Sequence, residues 1–202
     1  MEQLRRRGVN LDVVCDIGAH RGEWTRRIEQ TLSDAQFFLF EANATHAAAL
    51  AATGHRYCIS VLSSEEKLVE FYSTGGSGDS YLRERSKHYV EVEPESVRTT
   101  TLADVIRAHD FPSPDFIKAD VQGSELDVLR GAGDALTTSK LVLLECPLME
   151  YNEGAPHATE YLAFMADRGF SPIDFVDATW LKQRMIQVDI LFANAETATA
   201  FV

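Results

Sequence analysis

The sequence predicts an α/β fold, a mostly parallel β-sheet covered by helices on both faces. Three observations predict it. Short apolar runs alternate with amphipathic stretches along most of the chain, the pattern of strands joined by crossover helices. The runs are apolar at successive positions, as strands buried on both faces require. After Gly169 two strand-like runs follow with no helical stretch between them, so an antiparallel pair closes one edge of the sheet.

The first strand is "DVVCDI" (12–17), whose apolar run ends in Asp16. Gly18 and Gly22 then flank a tight turn into a helix over roughly 22–32. "QFFLFE" (36–41) is the second strand, followed by a helix over 44–53 and a third strand, "RYCISV" (56–61). From Leu68 to Thr101 the alternation stops. Within it "STGGSGDS" (73–80) is a Gly and Ser loop, mobile unless a ligand orders it, and residues 68–100 form an irregular insertion placed to act as a lid. The alternation resumes with a helix over 101–109, a strand "DFIKAD" (115–120), a helix over 123–131, a strand "LVLLEC" (141–146) and a helix near 157–168. "FSPIDFV" and "MIQVDILFAN", joined by about nine residues, make the closing pair. No internal repeat or linker divides the chain, so residues 1–202 read as a single domain.

Composition narrows the function classes. With 202 residues, 45% of them hydrophobic, the chain buries a sizeable core. A net charge of −12 argues against a nucleic-acid surface, because phosphate binding needs clustered Lys and Arg and the basic cluster here is Arg5–Arg7. No apolar run approaches the roughly 20 residues of a membrane span, and no apolar region follows the N-terminal charges as in a secretory signal. Cys15, Cys58 and Cys146 are odd in number and lie in apolar stretches, which suits buried thiols in a reducing, cytoplasmic setting.

The chemistry concentrates at strand ends. Free N–H groups at the start of the helix after Gly22 suit negative charge. Glu41, ending the second strand, is placed to hydrogen-bond two ribose hydroxyls. Together they make a nucleoside site. The turn "GAHRG" lacks the middle glycine that lets a pyrophosphate come close, and Asp16 just before it would repel a phosphate and welcome an ammonium. An adenosine ligand with an amino-acid tail, S-adenosylmethionine, therefore fits better than NAD. Asp16, Gly18, Ala19, His20, Gly22, Glu41, Ala42 and Asp120 are the candidate cofactor residues.

At this point "DIGAHRGEW", "FEAN", "TTLADVI", "IKADVQGSELDVLRGA" and "LLE" resemble, in order, the landmarks of the FkbM-type S-adenosylmethionine-dependent methyltransferases. The segment 117–132 is the most specific, since the family pattern there is close to I-K-x-D-x-E-G-x-E-x-x-V-L-x-G-A. The resemblance implies a Rossmann-like class I methyltransferase fold, with a seven-stranded sheet whose last strand is antiparallel. It also implies methyl transfer, most often to a hydroxyl oxygen of a sugar or natural product. Two positions depart from the pattern: Ala42 stands where the family usually has Pro, and Gln122 where it usually has Glu.

Methyl transfer from a sulfonium needs an aligned acceptor and, for a hydroxyl, a base. Asp120, at the carboxyl end of the fourth strand with Lys118 on the same face, is the first candidate, with a helix N-cap as its other reading. Glu125, in the first turn of the next helix, reads as a catalytic acid or as a partner of the helix dipole. Glu145, ending the fifth strand, and His20 are further candidates. Tyr81, His88, Gln122, Tyr151 and His157 are the candidate acceptor-binding residues; His46, His55 and His109 read as surface. No His or acid spacing argues for a metal. Two other classes stay open, a catalytically inactive adenosyl-binding module and a nicotinamide-dependent oxidoreductase. The expected partner is a small-molecule acceptor, with neither nucleic acid nor membrane, and the antiparallel edge offers a surface for a homodimer.

Overall fold

The computed structural model describes residues 8–89 and 91–201; the Arg5–Arg7 cluster lies outside them. Seven strands form one sheet: β1 (Val13–Ile17), β2 (Gln36–Glu41), β3 (Arg56–Ile59), β6 (Phe116–Ala119), β7 (Leu141–Pro147), β8 (Phe170–Leu181) and β9 (Arg184–Asn194), in the order β3-β2-β1-β6-β7-β9-β8. The strands from β3 through β7 pair in parallel, and β9 runs antiparallel to β7 and to β8. The expected fold class is therefore the observed one, including the antiparallel last strand.

Alternation within the strands builds two cores. Along β2, Phe37 and Leu39 join the cluster on one face, with Val14, Phe116 and Leu143. Phe38 and Phe40 join the cluster on the other, with Ile117, Leu126, Tyr161 and Phe192. The helices α1 (Glu23–Ile28), α2 (Ala47–Ala51), α3 (Leu102–Ala108), α4 (Glu125–Arg130), α5 (Asp134–Thr138) and α6 (Ala158–Ala166) link these strands. The chain moves outward from β1 through β2 to β3, then crosses back to β6 on the other side of β1. That reversal opens a crevice at the carboxyl ends of β1 and β6, the place where open α/β sheets take ligands.

Several expectations change in detail. The helix expected at 44–53 begins as a 3₁₀ turn over Ala44–His46. The insertion contains a separate antiparallel pair, β4 (Leu68–Phe71) with β5 (Glu95–Arg98), each only four residues long and too short for its alternation to declare a strand. The closing pair is joined by Lys182 and Gln183 rather than by nine residues, because β8 continues through "DATWL" to Leu181. Lys182 takes a φ of 57° in that turn. As an edge strand exposed along most of its length, β8 needs no apolar face and so hides its second half.

Candidate active site

The floor of the crevice is a buried ion pair. Parallel pairing sets Asp16 on β1 beside Lys118 on β6. The Lys118 Nζ lies 3.1 Å from Asp16 Oδ1 and 3.6 Å from Asp120 Oδ2, and donates to the Gly18 carbonyl at 2.9 Å and the Ile17 carbonyl at 3.3 Å. Burial alone would push the Lys118 ammonium down, but the Asp16 and Asp120 carboxylates hold it well above its usual range. Thr25 Oγ1 donates to the other Asp16 oxygen at 2.7 Å. Asp16 is thus fully buried and committed to Lys118 and Thr25. The expected direct contact with a ligand ammonium is corrected: Asp16 supports the turn from below.

Above it the two strand ends touch. Gly18 has φ +73°, and a Cβ there would sit 1.8 Å from the Asp120 carbonyl oxygen, so only glycine lets the β1 turn cross the end of β6. The backbone N–H groups of Gly18 and Ala19 both donate to the Phe40 carbonyl, tying this turn to β2. Gly22 closes the turn onto Ala19 and packs toward Thr53, away from the crevice.

Three cavities open around this crossing. The first is bordered by Gly18, His20, Phe40, Glu41, Ala42, Val61, Leu62, Ser77, Ser80, Tyr81, Asp120 and others. Glu41 is buried at its edge, with Oε2 accepting from the His20 N–H at 2.7 Å and Oε1 from the Asn43 N–H at 2.8 Å. Each oxygen keeps a second lone pair. His20, at φ 50°, lays its ring edge-on against His46, 4.2 Å between centroids, and its Nε2 is buried without a partner. His46, expected at the surface, is buried.

The second cavity lies on the other side of Gly18 and carries charges of both signs: Glu23, Arg27, Lys118, Asp120, Glu145 and Asp189, with Ala19, His20 and Trp24. The third is bordered by Thr74, Ser77, Gly78, Glu84, His88, Tyr89, Asp120, Gln122, Glu145, Tyr151, Thr179, Ile186 and Gln187. Its described lining holds no Lys or Arg. Asp120 borders all three cavities.

Gln122 fixes the acids between them. At φ 58°, its Nε2 donates to Asp120 Oδ1 and to Glu145 Oε2, both at 2.9 Å. Gln187 donates to the other Glu145 oxygen. Burial first, then the charges of Asp120, Glu125 and Asp189, push the Glu145 carboxyl up to about 10. Asp189, opposite Glu145 on β9, is pushed up to about 6 by burial and by Asp120.

Three expected site residues sit elsewhere. Glu125 is fully buried, its Oε1 accepting from the N–H groups of Val121 (2.8 Å) and Gly123 (3.1 Å) and its Oε2 from the Tyr161 hydroxyl. It braces the turn after β6 and faces none of the three cavities, so it is no catalytic group. Burial outweighs those donors and raises its carboxyl. His157 caps α6 in a capping box with Glu160, outside the cavities. Tyr81 borders the first cavity rather than the third, and its hydroxyl donates to Asp127 at 3.1 Å. Asp120 is not the helix cap, which is Ser124. The Gly and Ser loop is hydrogen-bonded through one acid. Asp79 accepts from Asn43, Ser73, the Thr74 N–H and Tyr89, donors that outweigh burial and hold its carboxyl below the usual range.

Sequence reasoning missed Asp79, His46, Gln187 and Asp189. For the last two a signal existed: "QVDILF" places two polar residues at alternate positions of an otherwise apolar strand, the mark of side chains facing a site. Among the described residues no group of three or more His, Cys, Asp or Glu is placed to hold a metal ion. Cys15, Cys58 and Cys146 are free thiols.

The Methyltransferase FkbM domain matches residues 16–172, from the acid under the glycine turn to the start of β8. The chain belongs to the FkbM methyltransferase family. It is similar to 2-O-methyltransferase NoeI of Sinorhizobium fredii (strain NBRC 101917 / NGR234), 29% identical over 160 residues that span 70% of this chain and 66% of that one. The fold is also that of magnesium protoporphyrin IX methyltransferase from Synechocystis PCC 6803 with bound SAM, at TM-score 0.53 and 11% identity over 95% of this chain and 74% of that one. TrmK of M. capricolum with S-adenosyl-homocysteine superposes with TM-score 0.54 and 6% identity over 96% and 68% of the two chains. At such identities the FkbM chain shares with these two its class I fold.

Proposed function

We propose that this FkbM chain methylates a hydroxyl oxygen of a neutral, polyhydroxylated small molecule, a sugar or natural product, using S-adenosylmethionine. The observation that carries the reading is the position of Asp120, at the meeting point of three cavities whose linings differ in chemistry. The first suits an adenosine: Glu41 offers spare lone pairs to ribose hydroxyls, the His20 Nε2 lacks a partner, and Phe40, Val61 and Leu62 give an apolar wall. The second suits a zwitterionic tail, with Arg27 for a carboxylate and Asp120 and Asp189 for an ammonium. Gly18, Ala19 and Ala42 keep the walls close, while Gly22 and Asp16 hold the turn.

When bound, S-adenosylmethionine supplies a methyl group activated by its sulfonium. The chain's own residues do the rest. Asp120 takes the proton of the acceptor hydroxyl as that oxygen forms its bond to carbon, a role worth typically 10²–10⁴-fold in rate. Gln122 holds Asp120 and Glu145 in one geometry, and Glu145, kept protonated by burial, adds hydrogen-bonding capacity without a second charge beside the base. The hydroxyls and amides of Thr74, Ser77, Gln122, Tyr151, Thr179 and Gln187, with His88, bind the acceptor's hydroxyls, and the carboxylates Glu84 and Asp120 disfavour anions. This supports a small-molecule acceptor over a nucleic acid. Among the described residues no helix is long and apolar enough to cross a membrane; we place the protein in the cytoplasm, as a single domain.

The test is transfer of isotope-labelled methyl from S-adenosylmethionine to a panel of neutral, cationic and anionic polyols and phenols. Labelled O-methyl products on neutral acceptors, lost in Asp120→Asn even at saturating cofactor, support the reading. Products on nitrogen or carbon alone, or full activity in Asp120→Asn, overturn it.

A further inference from the structure

Residues 73–79 carry Gly75, Gly76 and Gly78 and no apolar side chain, and none of them is buried. Tyr72 and Ser80 pair across the ends, so the segment is a closed loop. No core packing holds it. Its order rests on hydrogen bonds, and glycines make that order costly in entropy, so the loop opens at low cost. Asp79 gathers the bonds. Its Oδ2 accepts from Asn43 Nδ2 at 2.8 Å and from the Ser73 hydroxyl at 2.7 Å; its Oδ1 accepts from the Thr74 N–H at 2.8 Å and from the Tyr89 hydroxyl at 3.1 Å.

The two oxygens reach toward different sites. On the Oδ2 side, Asn43 is buried two residues after Glu41 and gives its backbone N–H to Glu41 Oε1. On the Oδ1 side, Thr74 and Tyr89 wall the third cavity. The loop itself is the partition: Gly76, Ser77 and Asp79 border the first cavity, and Thr74, Ser77 and Gly78 the third. We propose that Asp79 is a positioning residue through which the bound cofactor orders the acceptor wall. A nucleoside bonded to Glu41 fixes the Glu41–Asn43 end of the link and covers one face of the partition. Through Asp79 that order extends to Thr74 and Tyr89. Ordering completed by the first ligand costs the second nothing, so each binds more tightly with the other in place. The inference rests on the reading of the first cavity as the adenosine site.

The test is amide hydrogen exchange of the full chain with and without saturating S-adenosylhomocysteine, binding being checked by calorimetry. In the parent, residues 84–89, none of which borders the first cavity, should exchange about tenfold more slowly with the ligand bound. Asp79→Asn keeps the shape but sets an amide NH₂ against a donor, and at saturating ligand the slowing should vanish. Asn43→Ala keeps the backbone N–H on Glu41 and cuts the link at its other end, so it should lose the slowing too, and it carries the test if the first variant fails to fold. Tyr72→Phe, which removes only a hydroxyl bonded to Glu70, should retain it. Circular dichroism of each variant is the fold control. A purely structural clasp would protect 84–89 equally with and without ligand, and that result in the parent overturns the proposal. So does a slowing that survives both Asp79→Asn and Asn43→Ala. Failure of S-adenosylhomocysteine to bind the parent is a separate outcome, which overturns the cofactor reading and this inference with it.

Discussion

Replacing Gly18 by alanine isolates the close approach on which the crevice depends. The new Cβ would start 1.8 Å from the Asp120 carbonyl oxygen, where real Cβ atoms keep at least 3.0 Å, so the ends of β1 and β6 must part by more than an ångström. The positive φ adds strain of roughly 1 kcal/mol. Because Asp120 borders all three cavities, the displacement falls on the proposed cofactor contacts and the base together. Misplacement of about 1 Å costs on the order of 10²-fold in rate. Affinity for S-adenosylmethionine should fall about 10- to 100-fold, or roughly 1.4–2.8 kcal/mol. Gly54→Ala is the matched control: its φ is +80° but nothing lies within 4 Å of the added Cβ. It carries the backbone strain alone, and should lower the melting temperature by about 2–4 °C while leaving affinity unchanged. Calorimetry on both variants decides the matter. If Gly18→Ala binds the cofactor within threefold of Gly54→Ala, the strand crossing does not shape the site and the reasoning fails.

Three further outcomes follow from the same groups. Lys118→Met leaves Asp16 buried and unpaired, so thermal unfolding should show a loss of about 3–5 kcal/mol, and adding Asp16→Asn should recover much of it; simple additivity of the two changes would contradict the ion pair. Glu125→Ala removes the acceptor of two N–H groups and of the Tyr161 hydroxyl, and urea titration should register roughly 2–4 kcal/mol, beyond what the cavity alone explains. Glu145, about 10 in the folded state, binds a proton more tightly folded than unfolded, so its contribution is fully present below the unfolded value near 4.5 and is lost as pH rises toward 10. Asp189 adds the same sign between its ordinary value and about 6. Stability of the parent measured from pH 5 to 9 should therefore decline more steeply than that of Glu145→Gln, and parallel curves would refute the assignment.

The parts of this molecule legible in its sequence are those where burial dictates residue type. β1, β2 and β7 are buried on both faces, which forces runs such as "VVCDI", and the glycine turn declares itself because no other residue fits at Gly18. β4 and β5 are four residues each and the outer half of β8 is an exposed edge, so alternation there is too short or too mixed to read. In the site, strand ends located Glu41, Asp120, Gln122 and Glu145 on the crevice, but not the direction of each side chain. Asp16 and Glu125 are acids in the expected places that turn inward, one to Lys118 and one to the turn it braces. That choice depends on partners a hundred residues away for Asp16, and on Tyr161 thirty-six residues on for Glu125, which no local pattern encodes.

The most direct test of the central claim is calorimetric titration of the parent and of Glu41→Ala with S-adenosylmethionine, S-adenosylhomocysteine and NAD. The geometry predicts micromolar binding of both adenosyl ligands, none of NAD, and a loss of about 1–3 kcal/mol in Glu41→Ala as ribose hydroxyls go unpaired. Binding of NAD in their place, or affinity untouched by Glu41→Ala, would contradict the placement of the cofactor at the Gly18 turn.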